Sequence, residues 1–219
     1  MNYDAVFFDF DGTVADTLQN ITDALNHTMR CFGRREFAVR TVKPHLGWGV
    51  DYLMRKLSPE VSEEELDAML RHYRPYYAAH TTDKVLPYPG ILPMLERLQR
   101  AGLKNAIISN KPDAAVQPFV EGVFHGLISF AMGELPGIAR KPAPDMLVFA
   151  ADRLGVELPR CVYVGDTEVD IQTAANAGID CVCVTWGFRT REELLRAGAA
   201  RIADNTEELM QMITGISMP

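Results

Sequence analysis

Two aspartates stand one residue apart near the start of the chain, directly after a short apolar run. The run occupies residues 5–8, and Asp9 and Asp11 follow it with one phenylalanine between them. Two like charges this close repel each other, and burial raises the cost further. A cation bound between them would remove that repulsion. Taken alone, the pattern is also typical of a solvated turn after a strand, so the interpretation depends on the rest of the chain.

Further polar residues follow the later apolar runs at 105–108 and 161–164, or lie in the loop between them. They are Ser109, Asn110, Lys141, Asp166 and Asp170. In an open parallel sheet, ligands bind outside the carboxyl ends of the strands. We therefore expect one crevice to collect these groups together with the two N-terminal aspartates.

This set of side chains indicates a divalent cation beside a phosphoryl group. Magnesium prefers carboxylate, carbonyl and water oxygens, so Asp9, Asp166 and the carbonyl of Asp11 are candidate ligands. A cation does not explain Lys141 or Ser109, which instead suit an anion such as phosphate. One aspartate of the N-terminal pair can then attack phosphorus, while the other protonates the leaving oxygen and later activates water.

The later motifs also have ordinary structural interpretations. Ser109 and Asn110 could cap a helix that begins near Pro112. Lys141 could be a surface lysine before a proline. Asp166 and Thr167 could cap the helix that starts near Glu168, with Asp170 in its first turn stabilised by the helix dipole. The presence of all these motifs at predicted strand ends favours the chemical interpretation.

The elements that position these residues alternate between strand and helix. The apolar runs at 5–8, 105–108, 161–164 and 181–184 predict buried strands, and the helix-period segments between them end at glycine. This alternation predicts an α/β fold with a parallel, Rossmann-like sheet and right-handed crossovers.

The region between the first strand and the rest of the sheet differs, because its apolar residues recur at helical spacing. We predict an all-helical insertion over residues 16–82, hereafter the helical segment, with hinges near Ala15 and over 83–89. The sheet domain would then comprise residues 1–15 and 83–219.

The composition argues against several classes of function. The chain has 219 residues, of which 47% are apolar and 23% charged, and its net charge is −7. These values are typical of a globular protein without a nucleic-acid surface. The chain shows no signal-peptide pattern and no membrane-spanning apolar run, so we expect a cytoplasmic protein that contacts neither membranes nor nucleic acid. We also expect a monomer or weak homodimer, with Cys181 and Cys183 as buried, reduced thiols.

Four segments of the chain resemble, in order, the motifs of the haloacid dehalogenase superfamily of phosphatases. They are DFDGTVADT, IISNK, RKPAPDM and GDTEVD. The resemblance spans the sheet domain, and DTLQNITDALN, GELPGIARKPAPDML and VTWGFRTREEL are most similar to the phosphoglycolate phosphatase branch. It implies a magnesium-dependent phosphatase for a small phosphorylated metabolite, with 2-phosphoglycolate as the leading candidate.

The resemblance also implies a role for each motif residue. Asp9 would be the nucleophile that forms an aspartyl-phosphate, and Asp11 would be the general acid and base. Asp170 would orient a metal water or Lys141. The expected phosphate-binding residues are Ser109, Asn110 and Lys141, and the expected magnesium ligands are Asp9, Asp11 and Asp166.

By the same resemblance, the helical segment would be a mobile cap that closes over the site and selects the substrate. A carboxylate-bearing substrate would need a cation there. The candidate specificity residues in the cap are Lys43, His45, Trp48 and Arg55.

Other functions stay open from sequence. A pyrophosphatase or nucleotide phosphatase would use the same chemistry, and a phosphonate-cleaving enzyme would need a cap lysine, for which Lys43 or Lys56 is available. A sugar-phosphate mutase would carry a cap histidine where this chain has Ile21, which counts against that activity. A non-catalytic regulatory module would have no physical need for the complete set of motif residues.

Overall fold

The computed structural model describes residues 3–215, and its centre is a six-stranded parallel sheet. The sheet strands are β1 (Ala5–Phe8), β4 (Lys104–Pro112), β5 (Phe130–Glu134), β6 (Cys161–Gly165), β7 (Asp180–Val184) and β8 (Ile202–Ala203). Their spatial order is β5-β4-β1-β6-β7-β8. The strands β4 and β6 therefore flank β1, and the three predicted motif strands are neighbours.

Helices connect the strands and cover both faces of the sheet. They are α5 (Ile91–Arg100), α6 (Asp113–Val123), α7 (Asp145–Leu154), α8 (Glu168–Ala177), α9 (Arg191–Arg196) and α10 (Thr206–Thr214). Gly155 and Gly178 adopt left-handed conformations directly after α7 and α8, as the glycine stop signals predict. The observed architecture confirms the predicted α/β fold with a Rossmann-like sheet.

The sheet buries apolar residues on both of its faces because alternate side chains along each strand point in opposite directions. On one face, Val6 and Phe8 of β1 join a large apolar cluster with α5, α6 and α10. On the other face, Phe7 packs with residues of α7 and α8. Burial on both faces explains why the central strands read as continuous apolar runs.

Two strands of the sheet were not predicted. Strand β8 has two residues, which is too short for an apolar pattern to reveal. Strand β5 lies at the sheet edge and is only partly buried, so it lacks a continuous apolar run. Edge position and short length both weaken the periodic signal on which strand prediction depends.

The helical segment contains α1 (Leu18–Cys31), α2 (Val39–Val42), α3 (Val50–Leu57) and α4 (Glu63–Ala79). The helical patterns predicted there lie in α1, α3 and α4, and their apolar residues form a cluster largely separate from the sheet core. Both connections to the sheet run side by side, because β2 (Ala15–Asp16) pairs antiparallel with β3 (Leu86–Pro87). No helix within residues 3–215 combines the length and the apolar character needed to cross a membrane.

Candidate active site

Three buried carboxylates meet at the carboxyl edge of the sheet. Asp9 follows β1, whereas Asp166 and Asp170 lie just after β6 and in the first turn of α8. One carboxylate oxygen from each residue lies within 4.8 Å of the other two, and all three side chains are buried. Such a group of oxygens can hold a metal ion, and the carboxylate chemistry suits a hard dication.

Lys141 lies among these acids and is itself buried. Its Nζ is 3.0 Å from Oδ1 of Asp9 and donates hydrogen bonds of 2.8 Å to Oδ1 of Asp170 and the hydroxyl of Tyr163. Only 1% of the Lys141 side chain is exposed, so the surface-lysine interpretation is wrong. Three ionised carboxylates and one ammonium have a formal charge of −2, which is the charge that one bound dication would balance.

Two of the buried acids, Asp9 and Asp166, resist ionisation in the absence of such a dication. Burial raises the pKa of Asp9 to about 6, although Lys141 opposes the shift. Burial, with Asp170 and Asp9 nearby, also raises the pKa of Asp166 well above its ordinary value. For Lys141, burial alone would lower the pKa, but Asp170 and Asp9 raise it above the ordinary value, so this side chain stays charged.

Backbone amides and hydroxyls fix the orientation of the two acids that follow β6. Oδ2 of Asp170 accepts hydrogen bonds from the Asp166 amide at 3.1 Å and the Thr167 amide at 2.9 Å. Asp166 accepts from the Thr13 hydroxyl at 2.9 Å and from the Phe188 amide at 2.6 Å. The predicted helix-capping role is therefore present here in Thr167 and Asp170, and it coexists with the clustering of acids.

Gly12 permits the close approach of the first motif to the last. Its φ is +82°, and a Cβ at this position would lie 2.4 Å from Oδ2 of Asp166. A side chain would therefore be strained by the backbone conformation and would also collide with a buried carboxylate. Glycine in the DFDGT motif is thus a packing requirement of the acid cluster.

The side chain of Asp11 is paired with Lys111 and is not part of the three-carboxylate cluster. Nζ of Lys111 is 2.9 Å from Oδ1 of Asp11 and also contacts the hydroxyl of Tyr77 from α4. Only 1% of the Lys111 side chain is exposed. Lys111 is not among the residues predicted for the site, although strand alternation from Ser109 places it on the same side of β4.

Ser109 and Asn110 lie in β4 beside Lys141 and the loop before α3. Ser109 is buried and hydrogen-bonds Asp9, whereas Asn110 donates to the carbonyls of Gly47 and Lys141 at 3.1 and 2.9 Å. Oδ1 of Asn110 is buried without a hydrogen-bond partner among residues 3–215. The helix-cap interpretation is wrong for this pair, because α6 starts after Pro112 with no side-chain cap.

A cavity lies between the strand ends and the helical segment. Its polar wall is formed by Asp9, Asp11, Asn110 and Lys111, and its apolar wall includes Ile21, Val50, Leu53 and Phe188. Tyr73 and Tyr77 of α4 complete the opposite side. A small molecule in this cavity would meet charged groups at one end and an apolar enclosure at the other.

A family model for haloacid dehalogenase-like hydrolases matches residues 6–184 of this chain. The chain belongs to that family. This hydrolase is 30% identical to a phosphoglycolate phosphatase of Rhodospirillum rubrum over 216 residues, which cover 94% of this chain and 88% of the relative. It is 29% identical to phosphoglycolate phosphatase 1 of Pseudomonas aeruginosa over 213 residues, which cover 94% and 78% of the two chains.

A solved structure from Lactobacillus delbrueckii subsp. bulgaricus, described provisionally as a phosphoglycolate phosphatase, is also similar. It is 40% identical to this hydrolase with a TM-score of 0.94, covering 99% of this chain and 100% of the other. The comparisons confirm the resemblance deduced from the four motifs. They place this hydrolase among the phosphoric monoester hydrolases that resemble phosphoglycolate phosphatase.

The four side chains predicted to select the substrate are not among the described residues that line the cavity of this hydrolase. The loop that contains Trp48 does reach the cavity, but through Leu46, Gly47, Gly49 and Val50. Lys43 and His45 form a short 3₁₀ helix before that loop.

Two of these side chains have partners elsewhere. Trp48 donates from its indole nitrogen to Glu168 at 2.9 Å. Arg55 pairs with Glu63 at the start of α4 and donates a hydrogen bond to the carbonyl of Val61. Sequence spacing identified a loop that reaches the cavity but could not show which of its atoms face inward.

Ion pairs and hydrogen bonds hold the loop before α3 against the sheet of this hydrolase. Arg140, which precedes Lys141, donates two hydrogen bonds of 2.7 Å to the carboxylate of Asp51 in α3. Glu168 accepts from Trp48 and also pairs with Arg189 at 2.8 Å. In this arrangement, the helical segment lies directly over the acid cluster.

Proposed function

We propose that this hydrolase is a magnesium-dependent phosphatase that cleaves a small phosphate monoester, with 2-phosphoglycolate as the leading candidate, through an aspartyl-phosphate on Asp9. The observation that carries the proposal is the buried cluster of Asp9, Asp166 and Asp170 around Lys141. A net charge of −2 in a buried, oxygen-rich site suits a magnesium ion. Asp9, Asp166 and the carbonyl of Asp11 would hold it, and the ion would polarise the phosphoryl oxygens.

Asp9 is suited to nucleophilic attack because Lys141 and Ser109 hold its carboxylate in place. An oxygen of Asp9 attacks phosphorus, the bond between phosphorus and the leaving oxygen breaks, and Asp11 donates a proton to that oxygen. Asp11 then takes a proton from water, which attacks the phosphorus of the aspartyl-phosphate. This step releases inorganic phosphate and restores Asp9.

Lys141 and Ser109 are the proposed phosphate-holding groups, and Asn110 positions both of them. The ammonium of Lys141 is held by Asp170 beside Asp9, the carboxylate that a phosphoryl group would meet. Asn110 binds the carbonyl of Lys141 and follows Ser109 in β4. In this arrangement, Asp170 acts through Lys141 and does not touch the substrate.

Lys111 is the cation that a carboxylate-bearing substrate would meet in the cavity. It is buried in the cavity wall beside Asp11, whereas Lys43, His45 and Arg55 are not among the described lining residues. A substrate carboxylate that binds Lys111 would weaken the pairing of Lys111 with Asp11.

We further propose that the helical segment, residues 16–82, is a cap domain on a sheet domain of residues 1–15 and 83–219. Its separate apolar cluster and the paired connections β2 and β3 support this division. Closure of the cap would exclude bulk water while phosphorus is bonded to Asp9. Ile21 lies in the cavity wall at the position where the mutases of this superfamily carry a histidine, which favours hydrolysis over isomerisation.

The experiment is phosphate release from a panel of phosphate compounds, with magnesium and with a chelator. The panel includes 2-phosphoglycolate, pyrophosphate, nucleoside monophosphates and hexose phosphates. We expect magnesium-dependent turnover that is highest for 2-phosphoglycolate and lost in Asp9→Asn, whereas the exposed-site control Asp67→Asn keeps wild-type activity. Full activity in Asp9→Asn would refute the mechanism, and preference for pyrophosphate or a nucleotide would replace the substrate assignment.

A further inference from the structure

Two histidines and a cysteine of the helical segment lie close together, away from the acid cluster. His27 and Cys31 lie one turn apart on α1, and His72 reaches them from α4. Each of the three offers a ligand atom, and these atoms all lie within 4.8 Å of one another. His27 and His72 are partly buried, whereas Cys31 is exposed, so the group is accessible from solvent.

The distance between His27 and Cys31 matches the requirements of a tetrahedral zinc site. Zinc binds imidazole nitrogen at about 2.0–2.1 Å and thiolate sulfur at about 2.3 Å, so tetrahedral angles place the two atoms about 3.6 Å apart. Nε2 of His27 and Sγ of Cys31 are 3.7 Å apart. The ligand nitrogen of His72 lies within 4.8 Å of both atoms, so metal binding would draw this side chain closer to them.

The surroundings hold the histidines close together but leave hydrogen-bonding capacity unused. The rings of His27 and His72 stack with centroids 5.4 Å apart, and Tyr76 stacks on the other side of His27 at 3.7 Å. Nδ1 of His72 is buried and has no hydrogen-bond partner in the described part of the chain. The packing of α1 on α4 does not by itself explain why a thiol and two imidazoles lie within 4.8 Å of one another.

We propose that His27, Cys31 and His72 form a second metal site, specific for zinc and similar transition metals, with water as the fourth ligand. Nitrogen and sulfur ligands exclude magnesium, which requires oxygen, so this site and the acid cluster would take different ions. The metal would link α1 to α4. Because Tyr73 and Tyr77 of α4 line the cavity, the link would stabilise the helix that forms one cavity wall.

The experiment titrates the full-length protein with cobalt in saturating magnesium and records the absorption of the cobalt–thiolate bond. We expect one equivalent of cobalt to produce a thiolate charge-transfer band, and zinc to displace it. Cys31→Ser should abolish the band, and His72→Gln should weaken binding at least about tenfold, since loss of even an outer-shell partner has that effect. The matched control is Cys181→Ser, a thiol on β7, which should keep the band unchanged.

A thermal-unfolding measurement separates loss of the site from loss of the fold. Zinc should raise the melting temperature of the wild-type protein and of Cys181→Ser, because it binds only the folded state, but should not raise that of Cys31→Ser. Cys31 is exposed, so its serine variant should melt near wild type without zinc. The proposal is wrong if cobalt gives no thiolate band, or if the band persists in Cys31→Ser.

Discussion

Removal of divalent cations should reverse the ordinary pH dependence that a carboxylate gives to protein stability. The pKa of Asp9 is about 6 in the folded protein, against an ordinary value of 3.8. Between these two values, the folded protein holds a proton on Asp9 that the unfolded chain has released. The free energy of unfolding of the metal-free protein should therefore fall as the pH rises through this window.

The size of the effect follows from the width of the window. Asp9 contributes its full stabilisation below pH 3.8 and loses it as the pH passes about 6. A window of about two pH units at about 1.36 kcal/mol per unit amounts to about 3 kcal/mol. Bound magnesium should remove this decline, because a dication stabilises the ionised carboxylate.

The assay is urea unfolding of wild-type protein and Asp9→Asn at both ends of the window, with chelator and again with magnesium. Carboxylates distant from Asp9 titrate alike in both proteins, so the difference between the two reports Asp9 together with its effect on the neighbouring Asp166. With chelator, this difference should change by about 3 kcal/mol between the two pH values. If it stays constant, Asp9 carries no raised pKa and the charge argument for the dication fails.

Three further substitutions test the cavity and its closure. Lys111→Met should lower kcat/KM for carboxylate-bearing phosphate esters by roughly 10- to 100-fold, because it removes one charged hydrogen bond. The loss should be smaller for esters that lack a carboxylate, and equal losses would contradict the assignment of Lys111 as the cation that binds the substrate carboxylate. Asp51→Asn should raise KM by weakening the pair with Arg140, and an unchanged KM would show that the pair does not hold the loop. Arg55→Ala should leave kcat/KM unchanged, because Arg55 pairs with Glu63. A loss above about tenfold would show that Arg55 contacts the substrate.

The chemistry of the site was largely predictable from local sequence. Asp9, Ser109 and Asp166 each follow or end an apolar run, and parallel strands end at the same edge of a sheet. Lys141 was predictable only in combination with the other three motifs, because a lysine before a proline is common on protein surfaces. Helix periodicity likewise located α1 and α4, since amphipathic spacing is a local property.

Tertiary structure decided which of these local features meet. Lys111 lies in the cavity wall because α4 places Tyr77 over the end of β4. Arg55 lies outside the described cavity lining and pairs with Glu63. His27 and His72 are 45 positions apart, and only the packing of α1 on α4 brings them together. Local periodicity specifies elements and the chemistry at their ends, whereas contacts between distant side chains depend on how those elements pack, which no short stretch of sequence encodes.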